Sequence, residues 1–381
     1  MIRMWIYDYS LNLENYSQNE TIQALREGVK LDSFSKHLAG PKPPLPAVPK
    51  CFNKFTGIST DINFRSILQT AAHLKLPKEG ITGVFITVGN PQNATTHKTT
   101  SRYGMYDMLP GIISYGLNLK GLGIYTASTC DSFGSAITLA KALNEGGYID
   151  NAIILASNME VGAEAFKATS ILSESQRCAP FTTLRNGSWP GLGYGGITLS
   201  KQRTEKSKIQ IVGAYTANAG NDRASFLAPS IQAQQTAINS AWLKAGFPLK
   251  EASFIETHGT GTRIGDALEI DALRRCYHSS HSSKEKIVLG ASKELTGHLD
   301  AASGLVSLVR SIDLLKNQQT PSCSEEAICH EDKELLSPEF QLGDGTKHVK
   351  QNGLAGVTMI GIAGSTTHIV LKRENEQSVL L

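Results

Sequence analysis

Six short runs of apolar, mostly β-branched residues punctuate this 381-residue chain, and their alternation with helical stretches constrains the fold most. They are Gly83-Val-Phe-Ile-Thr-Val88, Ala152-Ile-Ile-Leu-Ala156, Gly196-Ile-Thr-Leu-Ser200, Ile209-Gln-Ile-Val-Gly213, Ile287-Val-Leu-Gly290 and His368-Ile-Val-Leu-Lys372. All read as buried strands. Between them, Thr236 to Gly246 predicts a helix with a glycine stop, Ser135 to Leu143 a helix ending before Asn-Glu-Gly-Gly, and Ala301 to Leu315 a third. Strands alternating with helices imply an α/β layered sheet. A faint internal repetition accompanies them. Gly193-Tyr-Gly-Gly-Ile-Thr-Leu-Ser-Lys201 and Gly364-Ser-Thr-Thr-His-Ile-Val-Leu-Lys372 are both glycine-containing turns that enter a β-run ending at lysine.

Three segments carry chemistry. Thr126-Ala-Ser-Thr-Cys130-Asp-Ser-Phe-Gly134 offers a nucleophile, while Glu256-Thr-His258-Gly-Thr-Gly-Thr262 and Lys293-Glu-Leu-Thr-Gly297-His298-Leu-Asp-Ala-Ala-Ser-Gly304 offer two proton handlers. Small residues border each one and let a substrate approach the backbone. A cysteine attacks as thiolate, and the helix expected from about Asp131 or Ser132 places its N-terminal dipole where it lowers the Cys130 pKa. Asp131 opposes this if it faces inward and is harmless if it faces outward. Histidines can donate hydrogen bonds to a developing oxyanion or enolate at neutral pH. Together these groups suit chemistry on an acyl thioester.

On these segments the chain resembles the β-ketoacyl-ACP synthases of the thiolase superfamily, from about Leu119 to Lys372. Those enzymes carry a cysteine in a small-residue turn, then His-Gly-Thr-Gly-Thr, then Lys-x-x-x-Gly-His with an Ala-Ala-Gly-like run. Phe181 to Gly196 and Gly361 to Leu371 agree in part. The resemblance implies the thiolase fold, with duplicated βαβαβαβ halves forming a five-layered α-β-α-β-α core. The polar stretch Gln202–Lys208 suggests a division into 1–205, carrying Cys130, and 206–381, carrying His258 and His298. The implied reaction is decarboxylative Claisen condensation of malonyl-ACP with an acyl group held on Cys130, with the enolate stabilised by His258 and His298. Lys293 would orient His298, and Thr260 and Thr262 would hold the phosphopantetheine arm. Ile360 and Ile362 occupy the positions of two phenylalanines that gate acyl entry, and the Ile362 N–H would complete an oxyanion hole. No metal or dissociable cofactor is implied, because the phosphopantetheine arrives on the carrier protein.

Departures from the pattern keep a second reading open. The acid that pairs with the lysine in the family is Ser307 here, so Glu294, Asp300 or another acid would substitute. Leu192 stands where the family has glutamate. A chain-length-factor-like partner subunit of a ketosynthase heterodimer, as in aryl-polyene-type systems, is the alternative to an active condensing enzyme. Family members pair through an edge strand near the cysteine turn, so a homodimer or a heterodimer with another ketosynthase subunit is expected, with 116–120 and 152–155 as candidate contacts.

A net charge of +3 is too small to point to nucleic acid or a membrane surface, and no apolar run approaches the ~20 residues of a bilayer span. The acid at Asp8 argues against a signal peptide, and six cysteines do not make a disulfide framework, so a cytoplasmic setting is expected. Cys323, Cys329 and His330 lack a second ligand pair for zinc. His278, His281 and the Pro-rich segment 41–49 read as solvated surface.

Overall fold

The computed structural model describes residues 3–32, 45–55, 61–89, 105–160, 171–204, 208–278 and 286–374. His281, residues 205–207 and the start of the Pro-rich segment lie outside them. The first half supplies β1 (Met4–Leu13), β2 (Thr82–Val88), β3 (Gly123–Tyr125), β4 (Asn151–Asn158) and β5 (Gly193–Ser200). The second supplies β6 (Ile209–Asn218), β7 (Phe254–Glu256), β8 (Ile287–Gly290), β9 (Phe340–Leu342), β10 (Leu354–Ile360) and β11 (Ser365–Arg373). All six strands expected from the sequence form. The sheet order is β3-β2-β4-β5-β1-β6-β11-β10-β7-β8-β9.

The two halves repeat one topology outward from the β1–β6 junction. In the first, β1 and β5 are antiparallel, β5 and β4 antiparallel, β4 and β2 parallel, and β2 and β3 parallel. In the second, β6 and β11, β11 and β10, β10 and β7, and β7 and β8 follow the same directions. The two lysine-terminated runs are the equivalent strands β5 and β11. Met4–Leu13, for which no strand was expected, forms β1 and joins the halves by pairing with both β5 and β6.

Strand periodicity sorts side chains into layers. On β4, Ala152, Ile154 and Ala156 enter the central core, whereas Ile153 and Leu155 face a separate core beneath the helices Ile62–His73 and Leu109–Gly116. The opposite outer core gathers Val370 and Ile255 against the helices Ile231–Ala245 and Arg263–His278. Two helices, Ser132–Glu145 and Ser303–Asn317, fill the centre. A Cβ at Gly134 or Gly304 would fall 2.7 or 2.5 Å from Met359 Sδ, so the glycines allow both helices to close on β10. This is the thiolase architecture of helix and sheet layers.

The expected helix at Thr236 begins a turn earlier, at Ile231, because Ser230 Oγ accepts the Ala233 N–H. It stops at Gly246 in a left-handed cap, φ 78°. Residues 152–155 cannot form a subunit contact: β4 is hydrogen-bonded to β2 on one side and β5 on the other. The outer strand on that side is β3.

Candidate active site

The chain leaves β3, turns at Thr129 with φ 57°, and enters the helix Ser132–Glu145 through the short turn Thr129–Asp131. Ser132 locks the turn: its Oγ accepts the Ser128 N–H at 2.8 Å and donates to Thr129 O at 2.6 Å. Gly361 lies against the same turn, where a Cβ would sit 2.6 Å from Ser128 O. That close approach seats the turn that carries Ile362 against the Cys130 turn.

Cys130 keeps a partial opening to solvent, but its thiol is surrounded by protein. Burial pushes the thiol well above its ordinary pKa, and the Asp300 carboxylate raises it further; Lys293 and the Ile362 N–H act in the opposite direction. The thiol lowering expected from the helix terminus is therefore outweighed by desolvation and a neighbouring acid. Asp131 takes the inward orientation. It accepts the Ser135 hydroxyl at 3.0 Å, and burial pushes its carboxyl up to about 7.

His258 follows β7 in a loop cradled by two acids of the next helix. Glu269 accepts the His258 and Gly259 N–H groups at 2.7 and 2.9 Å, while Asp266 accepts those of Gly261 and Phe181 at 3.1 and 2.8 Å. Gly261 needs its left-handed φ of 78°, since a Cβ would meet Gly187 O at 2.8 Å. The His258 ring accepts the Ile360 N–H at Nδ1, 3.2 Å. His298 stands edge-on to it, with centroids 5.8 Å apart. Its Nδ1 accepts the Asp300 N–H at 3.0 Å and lies 2.8 Å from Ser303 Oγ. Burial first, and then the Lys293 cation, hold both imidazoles well below their ordinary pKa, so both are neutral.

Lys293 is buried, and its hydrogen bonds run to His258, not to His298 as the resemblance implied. Nζ donates to His258 O at 2.6 Å and lies 3.4 Å from His258 Nδ1. Burial lowers its pKa, opposed first by Glu269. Glu269, a residue that sequence reasoning missed, is the acid that most opposes this lowering, while its hydrogen bonds run to the His258 and Gly259 N–H groups. Its signal was an acid eleven residues after His258, one helical turn past Asp266, on the side that faces the loop. Glu294 instead binds Ser324 and Lys30, and Ser307 bonds Ser292 at 2.9 Å.

Thr260 and Thr262 lie partly exposed on the loop, their hydroxyls 3.2 Å apart. Ile360 is nearly closed to solvent at the end of β10, whereas Ile362 is partly exposed in the following turn. Leu192 is buried against Met159. Among the described residues, no His, Cys, Asp and Glu cluster has the arrangement to hold a metal ion, and no helix is long and apolar enough to cross a membrane.

Residues 68–205 match the beta-ketoacyl synthase N-terminal domain and residues 209–325 the C-terminal domain. The chain is 29% identical over 277 residues to a phenolphthiocerol/phthiocerol polyketide synthase of Mycobacterium tuberculosis, covering 70% of this chain and 19% of that protein. It is 28% identical to the non-reducing polyketide synthase mapC' of Penicillium brevicompactum, covering 70% of the chain and 13% of the relative. The chain thus spans no more than about a fifth of the length of these curated relatives. Among solved structures, the ketosynthase from module 6 of the bacillaene synthase of Bacillus subtilis 168 superposes with a TM-score of 0.85 at 20% identity, covering 98% of this chain and 72% of that one.

Proposed function

The chain belongs to the β-ketoacyl synthase family of condensing enzymes, and from that premise we propose that it catalyses decarboxylative condensation of carrier-bound thioesters. Cys130 accepts the acyl group, and the N–H groups of Ile362 and Cys130 hold the tetrahedral oxyanion. A malonyl thioester then loses CO₂ while His258 and His298 donate to the enolate oxygen. The carbanion attacks the acyl carbon and releases the Cys130 thiolate. Lys293 holds the His258 loop, and Thr260 and Thr262 receive the pantetheine arm of an acyl carrier protein. The reaction needs no metal or dissociable cofactor. What supports this reading is that His258 and His298 stand edge-on to one another with Lys293 hydrogen-bonded to His258, and that the Gly361 turn packs on the backbone of the Cys130 turn.

We infer the assembly from β3, the outermost strand on that side among the described residues, with Leu122, Tyr115 and Met105 exposed nearby. We propose a cytoplasmic dimer through this edge, with a second copy or another ketosynthase subunit. The raised Cys130 pKa gives the second reading, a chain-length-factor-like partner with little activity of its own, a specific foothold.

Mass spectrometry of the chain with acyl-ACP and malonyl-ACP separates the two. Cys130→Ala should abolish acyl loading and leave decarboxylation intact, whereas His298→Ala should abolish decarboxylation. Unaltered condensation by His298→Ala overturns the mechanism, and a wild-type homodimer that condenses unaided overturns the partner-subunit reading.

A further inference from the structure

A buried acid beside a nucleophilic cysteine opposes thiolate formation, so the inward Asp131 needs a reason to be there. The turn it borders is strained. Thr129, the residue before Cys130, takes a left-handed φ of 57° although its side chain is β-branched. Such a conformation persists only where the surroundings fix it. The Thr129 carbonyl and the Ser128 N–H are both held by Ser132 Oγ, at 2.6 and 2.8 Å. The side chain of Ser128 is held separately, by a chain of hydroxyls that ends on Asp131.

Ser128 Oγ donates to Ser135 Oγ at 3.0 Å, and Ser135 Oγ donates to Asp131 Oδ2 at 3.0 Å. A hydroxyl has a single proton; with that proton on Asp131, the Ser135 oxygen turns its lone pairs to Ser128. A serine within a helix otherwise donates to the carbonyl four residues back, which here is the backbone of Asp131 itself. The carboxylate therefore turns Ser135 away from its own helix and toward the cysteine turn. Ser128 also meets the second oxyanion segment. Its carbonyl accepts Ser365 Oγ at 3.4 Å, and a Cβ on Gly361 would fall 2.6 Å from the same oxygen. The N–H, hydroxyl and carbonyl of Ser128 are all engaged, and the turns bearing Cys130 and Ile362 meet on this one residue.

We propose that Asp131 is a positioning residue for Cys130, acting through Ser135 and Ser128 to fix the spacing of the two oxyanion donors. The inference rests on the ketosynthase reading above. Asp131 is fully buried and forms the fixed end of the chain. Its backbone belongs to the turn Thr129–Asp131, and its side chain reaches forward to the helix that follows. Attack of Cys130 Sγ on a thioester carbon places negative charge on the carbonyl oxygen, which needs both backbone donors at once. Displacement of iodide from a saturated carbon develops no oxyanion and needs the sulfur alone. A small displacement of the turn therefore slows acylation and spares alkylation.

The test compares acylation by butyryl-pantetheine with alkylation by iodoacetamide, both read by mass spectrometry of the Cys130 peptide. Asp131→Ala and Asp131→Asn both remove the charge, but only asparagine keeps an acceptor for Ser135. Asp131→Ala and Ser135→Ala should each lower the ratio of acylation to alkylation about tenfold. The double variant should fall no further, because one chain is broken once. Asp131→Asn should restore the wild-type ratio. An unchanged ratio in Ser135→Ala overturns the proposal. So do losses that multiply to about a hundredfold in the double variant, or an Asp131→Asn chain as impaired as Asp131→Ala. Ser135 is only half-buried, so Ser135→Ala decides the matter if Asp131→Ala does not fold. Wild-type chain that takes up no butyryl group overturns the ketosynthase reading and the positioning role with it; normal loading with unchanged ratios overturns the positioning role alone.

Discussion

Arg310→Met tests how the two site segments are held. Arg310 and Glu256 form an ion pair in the interior, with side chains 1% and 0% exposed. The guanidinium donates to Glu256 at 3.1 and 3.4 Å, to Leu25 O at 3.0 Å and to Ser322 O at 2.5 Å. Glu256 also accepts the Ser292 N–H. Glu256 lies two residues before His258, and Ser292 lies one before Lys293, so a single carboxylate anchors both segments. Removing the arginine leaves that carboxylate buried without its counter-ion, at a cost of about 4 kcal/mol. The two freed carbonyls add to the loss in the same direction but not additively. For a chain of this size the expected fall in Tm is about 5 °C, read by thermal unfolding. Glu256→Gln in the Arg310→Met background should recover about half, because the uncompensated charge is gone while the Ser292 N–H keeps an acceptor. A single variant within about 2 °C of wild type, or a double variant less stable than the single, would refute the reasoning.

Further outcomes follow from the same geometry. The folded-state pKa of Asp131 lies above its unfolded value, so its contribution is present at low pH and is lost as pH rises towards about 7. Asp131→Asn should therefore gain stability on wild type across that interval, by up to about 4 kcal/mol, in urea titrations at a series of pH values. Gly297→Ala places a Cβ 2.5 Å from Pro190 O at φ 74°, so it should cost at least about 2 kcal/mol and impair malonyl decarboxylation by displacing His298. Iodoacetamide at neutral pH should modify Cys329 before Cys130, since Cys329 is exposed and the Cys130 thiol is held protonated, as peptide mapping would record.

Much of this architecture was legible from local patterns. Strands such as Ala152–Ala156 and His368–Lys372 announce themselves because their composition already satisfies a buried sheet. The two lysine-terminated runs marked the duplication that β5 and β11 realise. The cysteine turn and both histidine segments are also local, since each needs glycines or other small residues within a few positions of the reactive group. β1 escaped the strand reading because its alternation includes Tyr7, Asp8 and Tyr9, and only pairing on both sides makes it a central strand.

Sequence alone determined the α/β layering, the family resemblance and the reactive residue types. Tertiary structure decided how those residues act. Lys293 serves His258 because the loop carbonyl of His258 reaches its Nζ, a contact across 35 positions. Glu269 secures that loop from the following helix by accepting the His258 and Gly259 N–H groups. Cys130 is protonated because burial and Asp300, 170 residues away in sequence, outweigh the helix terminus beside it. Spacing encodes which groups can sit on one turn. Desolvation and charge proximity depend on what the rest of the chain places around them, and those two effects hold the Cys130 thiol protonated and both imidazoles neutral.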